Sequence, residues 1–290
     1  MSAIAYITDS KLLELHRLNA HKTMNFWRLS TKTSFSDFGK DDLVFFLSKD
    51  KEHMKKKEKG IVGFGRLENI YTYAPKTMWN KFGNENGYNT YDEFKEAIEK
   101  VSKLHVLPKK ISSFYLNNIV FFQSPIYLSE LGIKISNNVE SYVYIKPEES
   151  VIKLLEYGKE AIDIWSSSEM AEKIIENEQL NTSLKLAQKD IGDFKLSETR
   201  IKSGNRTMKK IVENNPGCKF IGKSKLDVAL VNDRDILIVL YNHKEIDYRL
   251  LIGQAELYKK YIMKYYNGPF KIYFKTSDNN KGLNDLINSI

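Results

Sequence analysis

Polar residues of a reactive kind stand in the last third of the chain where a buried sheet would not ordinarily hold them: Asp227, Asn242, Lys244 and Gln254. Residues 225–231 alternate, with Leu226, Val228 and Leu230 on one face. That leaves Asp227 with Ala229 and Val231 on the other, a carboxylate on an otherwise apolar strand. Residues 232–235 form a polar turn, and 236–241 are the unbroken apolar run of a strand buried on both faces. Asn242 and Lys244 emerge at its end on one face. In the helix that follows, Gln254, Leu257, Tyr258 and Tyr261 recur at spacings of three and four, so its face toward the sheet begins with an amide. A carboxylate, an amide and an ammonium gathered at the edge of a sheet can hold a hard cation and an anionic substrate. Singly, each also has a structural use: Asp227 capping its loop, Asn242 starting a turn, Lys244 facing water.

The elements that would position these groups have an order of their own. Residues 197–214 read as a helix ending at Pro216-Gly217, with Ile201, Met208, Val212 and Glu198 on one face, and Gly268-Pro269 lead into a last strand at 270–276. Helix, strands, helix and strand in this order resemble the core of the PD-(D/E)XK nuclease superfamily. The family pattern is an Asp on one strand, (D/E)-x-K at the end of the next, and often Q-x-x-x-Y on the following helix. Here it falls on Asp227, on Asn242-His243-Lys244, and on Gln254 with Tyr258. The resemblance implies that Asp227, Glu198 and Asn242 hold Mg2+, that Lys244 assists the attacking water or the phosphate, and that Gln254 orients a ligand or substrate. Carboxylates neutralise a hard divalent cation while leaving positions for water and the scissile phosphate. Asn242 stands where the pattern has an acid, and an amide oxygen brings no charge, so metal affinity should fall. Two readings follow: a Mg2+-dependent endodeoxyribonuclease, or an inactivated nuclease fold that only binds.

The N-terminal half has a different pattern. Residues 10–18 form a short amphipathic helix capped by Asp9 or Ser10, and 24–30, 43–48 and 60–67 read as strands. Six lysines crowd residues 49–59, a charged loop suited to water or to phosphate. Trp27 within the first strand, Asp42 before Val44-Phe45-Phe46, and the run Gly60–Gly65 resemble the EVE-type domains of the PUA-like superfamily, over about residues 22–146. Such domains hold a base, often a modified one, in an aromatic pocket. A flipped base must be restacked on rings and hydrogen-bonded at its edge to offset a few kcal/mol of unstacking. By motif position the resemblance implies Trp27, Ser30 and Phe64 as pocket residues; Trp79, an aromatic in a polar segment, is a further candidate.

Between the halves, residues 147–191 read as helices with stripes at Val151, Leu154, Leu155, Ile162 and at Leu180, Leu184, Ala187, Ile191, packing on a domain or forming a homodimer seam. Trp165 fits the same role. The expected organisation is thus a two-domain α+β and α/β chain. A PUA-like β-barrel with flanking helices spans 1–146, a helical linker 147–195, and a PD-(D/E)XK-like mixed sheet 196–290. At 290 residues, 42% hydrophobic and 12% aromatic, the chain can build two cores. Its net charge of +8 favours an anionic partner, nucleic acid before membrane and DNA before RNA. The single cysteine, Cys218, excludes an internal disulfide and a cysteine-cluster zinc site. With no leader pattern or membrane-length apolar run, it fits a cytoplasmic protein. The whole reads as a DNA-interacting protein of the restriction or defence type, with RNA binding as a third class.

Overall fold

The computed structural model describes residues 3–31, 35–52, 58–134, 136, 139–162, 168–193, 196–243 and 248–289, by backbone alone at 49–52 and 168. Two compact units part between Ile175 and Glu176. The first contains β1 (Ala3–Thr8), α1 (Ser10–Leu18), β2 (Met24–Arg28), β3 (Leu43–Glu52), β4 (Lys59–Tyr73), α2 (Pro75–Phe82), α3 (Tyr91–Val101), β5 (Ile111–Ile126), β6 (Tyr142–Tyr144), α4 (Ser150–Glu160) and the first turns of α5 (Ser168–Ile191). Asp9 begins α1 by accepting from the N–H of Lys11, and α3 starts on a reciprocal Thr90–Glu93 capping box.

The strand order is β2-β5-β4-β3-β1-β6, with β1 and β3 parallel and the other pairs antiparallel. Among the described residues, hydrogen bonding does not close this sheet into the expected barrel; β2 and β6 are its edges. It curls nonetheless. The β4–β5 ladder shifts register between Ile61 and Gly63, Phe64 and Arg66, and Leu67 and Asn69, and each bulge bends the strand and adds twist. Gly63 makes the tightest of these possible: its φ is 155°, and a Cβ there would sit 2.4 Å from the carbonyl oxygen of Val120. The curl brings Tyr6 of β1 edge-on to Phe26 of β2, 5.2 Å between ring centres. Side chains fill this seam instead of ladder bonds. Phe46 and Phe114 are fully buried within the curl, and Phe45 and Phe64 are fully buried on the opposite face of the sheet, each contributing on the order of 2–3 kcal/mol.

The second unit contains the rest of α5, then α6 (Glu198–Asn214), β7 (Lys219–Phe220), β8 (Val228–Asn232), β9 (Asp235–Leu240), α7 (Tyr248–Tyr265), β10 (Lys271–Thr276) and α8 (Lys281–Ser289). Its sheet runs β10-β9-β8-β7, with β9 and β10 parallel. The polar turn expected at 232–235 is a two-residue hairpin loop, Asp233 and Arg234 both at positive φ (45° and 71°), the twist-matched form for adjacent strands. Two layers cover the sheet. Gly204 lets α6 lie against Leu226 and Tyr241, where a Cβ would come within 2.6 Å and 2.9 Å of their side chains. On the opposite face α7 buries Leu251, Gln254, Ala255, Tyr258 and Ile262. Leu257, expected on that buried stripe, is 41% exposed. Along the edge of β10, Asn288 accepts from the N–H of Phe274 and donates to its carbonyl, both at 2.8 Å, while Asn284 accepts from the N–H of Thr276. These amides stand in for a missing neighbouring strand. Among the described residues no helix is long and apolar enough to cross a membrane.

Candidate functional site

The seam between β1 and β2 opens into a cavity of about 830 Å³, walled by both strands, α1, α3 and the segment before α3. Tyr6 and Ile7 form one wall, Phe26, Trp27 and Arg28 another, and Tyr88 and Ala97 a third. Trp27 meets Phe94 edge-on at 5.7 Å and Tyr88 at 6.4 Å. Its indole Nε1 is buried yet has no hydrogen-bond partner. An orphaned donor of this kind costs about 1–3 kcal/mol. Arg28 lies 4.4 Å above the Phe114 ring and 5.1 Å above Phe35, and hydrogen-bonds Tyr6. Burial lowers the Arg28 pKa and raises that of Tyr6, and the contact between them opposes both shifts. Burial, helped by the charge of Asp9, also raises Tyr88, so both tyrosines stay neutral donors. The acidic lining is partly spoken for. Asp9 caps α1, and Glu93 accepts from the N–H groups of Asn89 and Thr90, whereas Glu96 and Lys100 project from α3.

The residues expected in this pocket separate. Trp27 lines the cavity. Phe64 does not: it is fully buried between Phe45 and Phe122, at 5.7 Å and 6.2 Å, because its register on the central strand β4 turns it to the face of the sheet opposite Phe46 and Phe121. Ser30 is exposed past the end of β2, where its backbone carbonyl accepts from the Ser112 hydroxyl. Trp79 packs α2 onto α3 through Tyr91 and Phe94. Tyr6 is missed by the sequence reading because no strand is expected over Ala3–Thr8, although it is an apolar, aromatic-bearing run ending at a helix cap; Arg28 lies on the expected strand but belongs to no motif.

In the second unit the structure brings together Asp227, Gln254 and Tyr258. The Gln254 amide nitrogen donates to Asp227 Oδ2 at 2.7 Å and the Tyr258 hydroxyl to the same oxygen at 2.9 Å. Asp227 is 3% exposed, and burial above all, with the charge of Asp193 adding to it, raises its pKa to about 7 against the pull of those two donors. Burial and the Asp227 charge likewise push Tyr258 well up. The loop before β8 is held by Ser224, whose hydroxyl accepts from the N–H groups of Leu226 and Asp227 and donates to Asp193 at 2.6 Å. No sequence pattern marked Asp193, which lies just beyond α5. The Gln254 Oε1 is buried without a partner.

The other expected ligands lie elsewhere. Glu198 is exposed in the first turn of α6 and makes no hydrogen bond or ion pair among the described residues. Asn242 follows β9, where its N–H donates to the Ser277 hydroxyl and its side-chain amide donates to Asp278, each at 2.9 Å. Its Oδ1 is buried and unpartnered. Lys244 lies outside the described residues, as does Trp165. Among the described residues no three His, Cys, Asp or Glu side chains are grouped to hold a metal. In this arrangement the Asp227 carboxyl, buried and holding two donors on one oxygen, is closed to a divalent cation, whose ligands must be accessible.

No protein family matches the sequence, and neither does any curated protein. Among solved structures the chain is similar to ASCH from Zymomonas mobilis, at 15% identity and a TM-score of 0.37, over 53% of this chain and 94% of that one. Two single-substitution variants of the same protein align likewise, one at 15% identity and a TM-score of 0.37 (54% of this chain, 98% of that one), the other at 14% and 0.38 (53% and 95%).

Proposed function

We propose that the first unit binds nucleic acid and takes one base into the seam cavity. The observation that carries this is the ring-bearing cavity itself, lined by Tyr6, Phe26, Trp27 and Tyr88, with the buried indole N–H of Trp27 still without a partner beside it. A base fits that lining on three counts. It stacks on Tyr6, Trp27 and Tyr88, accepts at its edge from the indole, and donates exocyclic N–H groups to carboxylates at the rim. The net charge of +8 draws a polyanion to the chain. The full reading is a DNA-binding protein of the restriction or defence type, in which the first unit reads a flipped and modified base and the second hydrolyses phosphodiesters with Mg2+. Its support is the order of Asp227, Asn242, Lys244 and Gln254 along the sequence.

A second reading has its own support. The sealed Asp227, with both donors on one oxygen, favours a nuclease-like fold kept for binding without cutting. The two are separated by incubating unmodified and base-modified DNA with the protein and Mg2+ or Mn2+, with EDTA as control. Metal-dependent cutting lost in Asp227→Ala supports hydrolysis, whereas binding without cutting supports the retired scaffold. The cavity is tested by anisotropy on labelled DNA and sequence-matched RNA. Trp27→Phe keeps a ring and removes the donor, so binding should weaken about 2- to 10-fold, and Trp27→Ala should weaken it further. Unchanged affinity in both variants removes the cavity from recognition; a preference for RNA assigns the first unit to RNA instead.

A further inference from the structure

One side of the sheet in the second unit carries cations that the Asp227 cluster does not use. Because Gly204 seats α6 on Tyr241, alternation along β9 puts Leu237 and Val239 on that same side. Leu237 pairs with Tyr273, Asp235 with Lys271 and Val239 with Lys275, so all three β10 residues share the α6 side. They are exposed, Tyr273 by 47%. On α6 itself, Gly204 and Met208 face the sheet, which leaves Lys202, Arg206 and Lys209, at spacings of four and three, on the solvent side. Among the described residues, none of these five cations has a carboxylate within ion-pair distance.

We infer that this side of the second unit is a ledge for single-stranded nucleic acid, with Lys202, Arg206, Lys209, Lys271 and Lys275 against phosphates and Tyr273 under a base. It is a site separate from the cavity and rests on the proposed function only for the class of partner. Asp235 shares that side beside Lys271, and Glu198 and Glu213 flank the α6 cations, so five cations exceed three carboxylates; a polyanion is drawn to that excess and releases its counterions there. The strand geometry supplies the second element of recognition. Lys271 and Lys275 stand about 13 Å apart with the Tyr273 ring midway, and cation, ring, cation along one groove is how sequence-tolerant single-strand sites are built. A duplex has no free base face to offer that ring.

The test uses the full chain with a labelled twelve-residue oligothymidine, titrated at several salt concentrations. The α6 variant Lys202→Ala/Arg206→Ala/Lys209→Ala should lower the slope of log K against log salt by about 2, and Lys271→Ala/Lys275→Ala by about 1.4. Tyr273→Ala should weaken binding about 5- to 150-fold. All six positions are on the surface, so each variant keeps its fold. Unchanged slopes overturn the ledge, and loss of binding confined to Trp27→Ala overturns it in favour of the cavity alone. Loss confined to the ledge variants overturns the cavity and leaves the ledge standing. Tighter binding of a matched duplex that ignores Tyr273→Ala overturns the single-strand assignment, as does equal competition by polyglutamate. Absence of binding to every probe overturns both sites.

Discussion

Replacing Asp227 with asparagine should stabilise the second unit, and only above the acid range. In the folded state burial raises the Asp227 carboxyl pKa to about 7 from its ordinary value of 3.8. The folded protein therefore binds this proton more tightly than the unfolded chain, and stability falls as pH rises from 3.8 to 7. Above 7 the full cost is in place: 3.2 units at 1.36 kcal/mol per unit is about 4 kcal/mol. Asparagine cannot ionise. Its carbonyl can still accept from Gln254 and Tyr258, and the orphaned Oε1 of Gln254 can accept from its new N–H group. The variant should match wild type near pH 4 and exceed it by about 4 kcal/mol at pH 8, or about 15–20 °C in Tm for a unit of this size. Hydrogen exchange of β8 and α7, followed by mass spectrometry across pH, isolates this unit from the first. Equal protection of the two proteins at pH 8, or a loss in the variant as large at pH 8 as at pH 5, would refute the reasoning. If Asp227 also cuts DNA, the same substitution should exchange activity for that stability.

Three further outcomes are expected. His16 is fully buried, its Nδ1 2.9 Å from that of His21, and burial first and His21 second lower its pKa to about 3. Its contribution is whole above pH 6.5 and falls by about 1.4 kcal/mol per unit as the pH drops from there toward 3. His16→Phe should flatten that loss, read by tryptophan fluorescence during urea unfolding. Gly204→Ala gains about 1 kcal/mol of helix propensity, yet drives a methyl into Leu226 and Tyr241. A net loss of about 1–2 kcal/mol by chemical denaturation is expected, and a stabilised variant would show that α6 is not seated there. Asn288→Ala should strip both side-chain bonds from Phe274 and expose the β10 edge, so sedimentation should show self-association that wild type lacks at the same concentration.

Much of the secondary structure was legible because short-range physics sets it. The α1 boundaries followed from Asp9 and an amphipathic run, α6 from its start near Ser197 and its stop before Pro216, and the hairpin from the polar turn at Asp233-Arg234. Alternation also placed Asp227 opposite Leu226 and Val228, and the spacing of Gln254 and Tyr258 put both on the buried face of α7. What the sequence could not determine is which faces meet. Phe64 and Trp27 are both aromatics on strands. One is sealed in the core because β4 is central, and the other borders a cavity because β2 is an edge facing a seam. Leu257 keeps helical register with Gln254 and still faces water, since the width of a helix's buried stripe depends on what packs against it. The open seam itself comes from bulges that bend β4 and β5, long-range features with no local signature. Likewise, the closure of Asp227 by two donors and the sharing of one sheet face by α6 and β10 exist only once the strands are paired. Residue type and spacing specify what each element can present; tertiary packing specifies to whom.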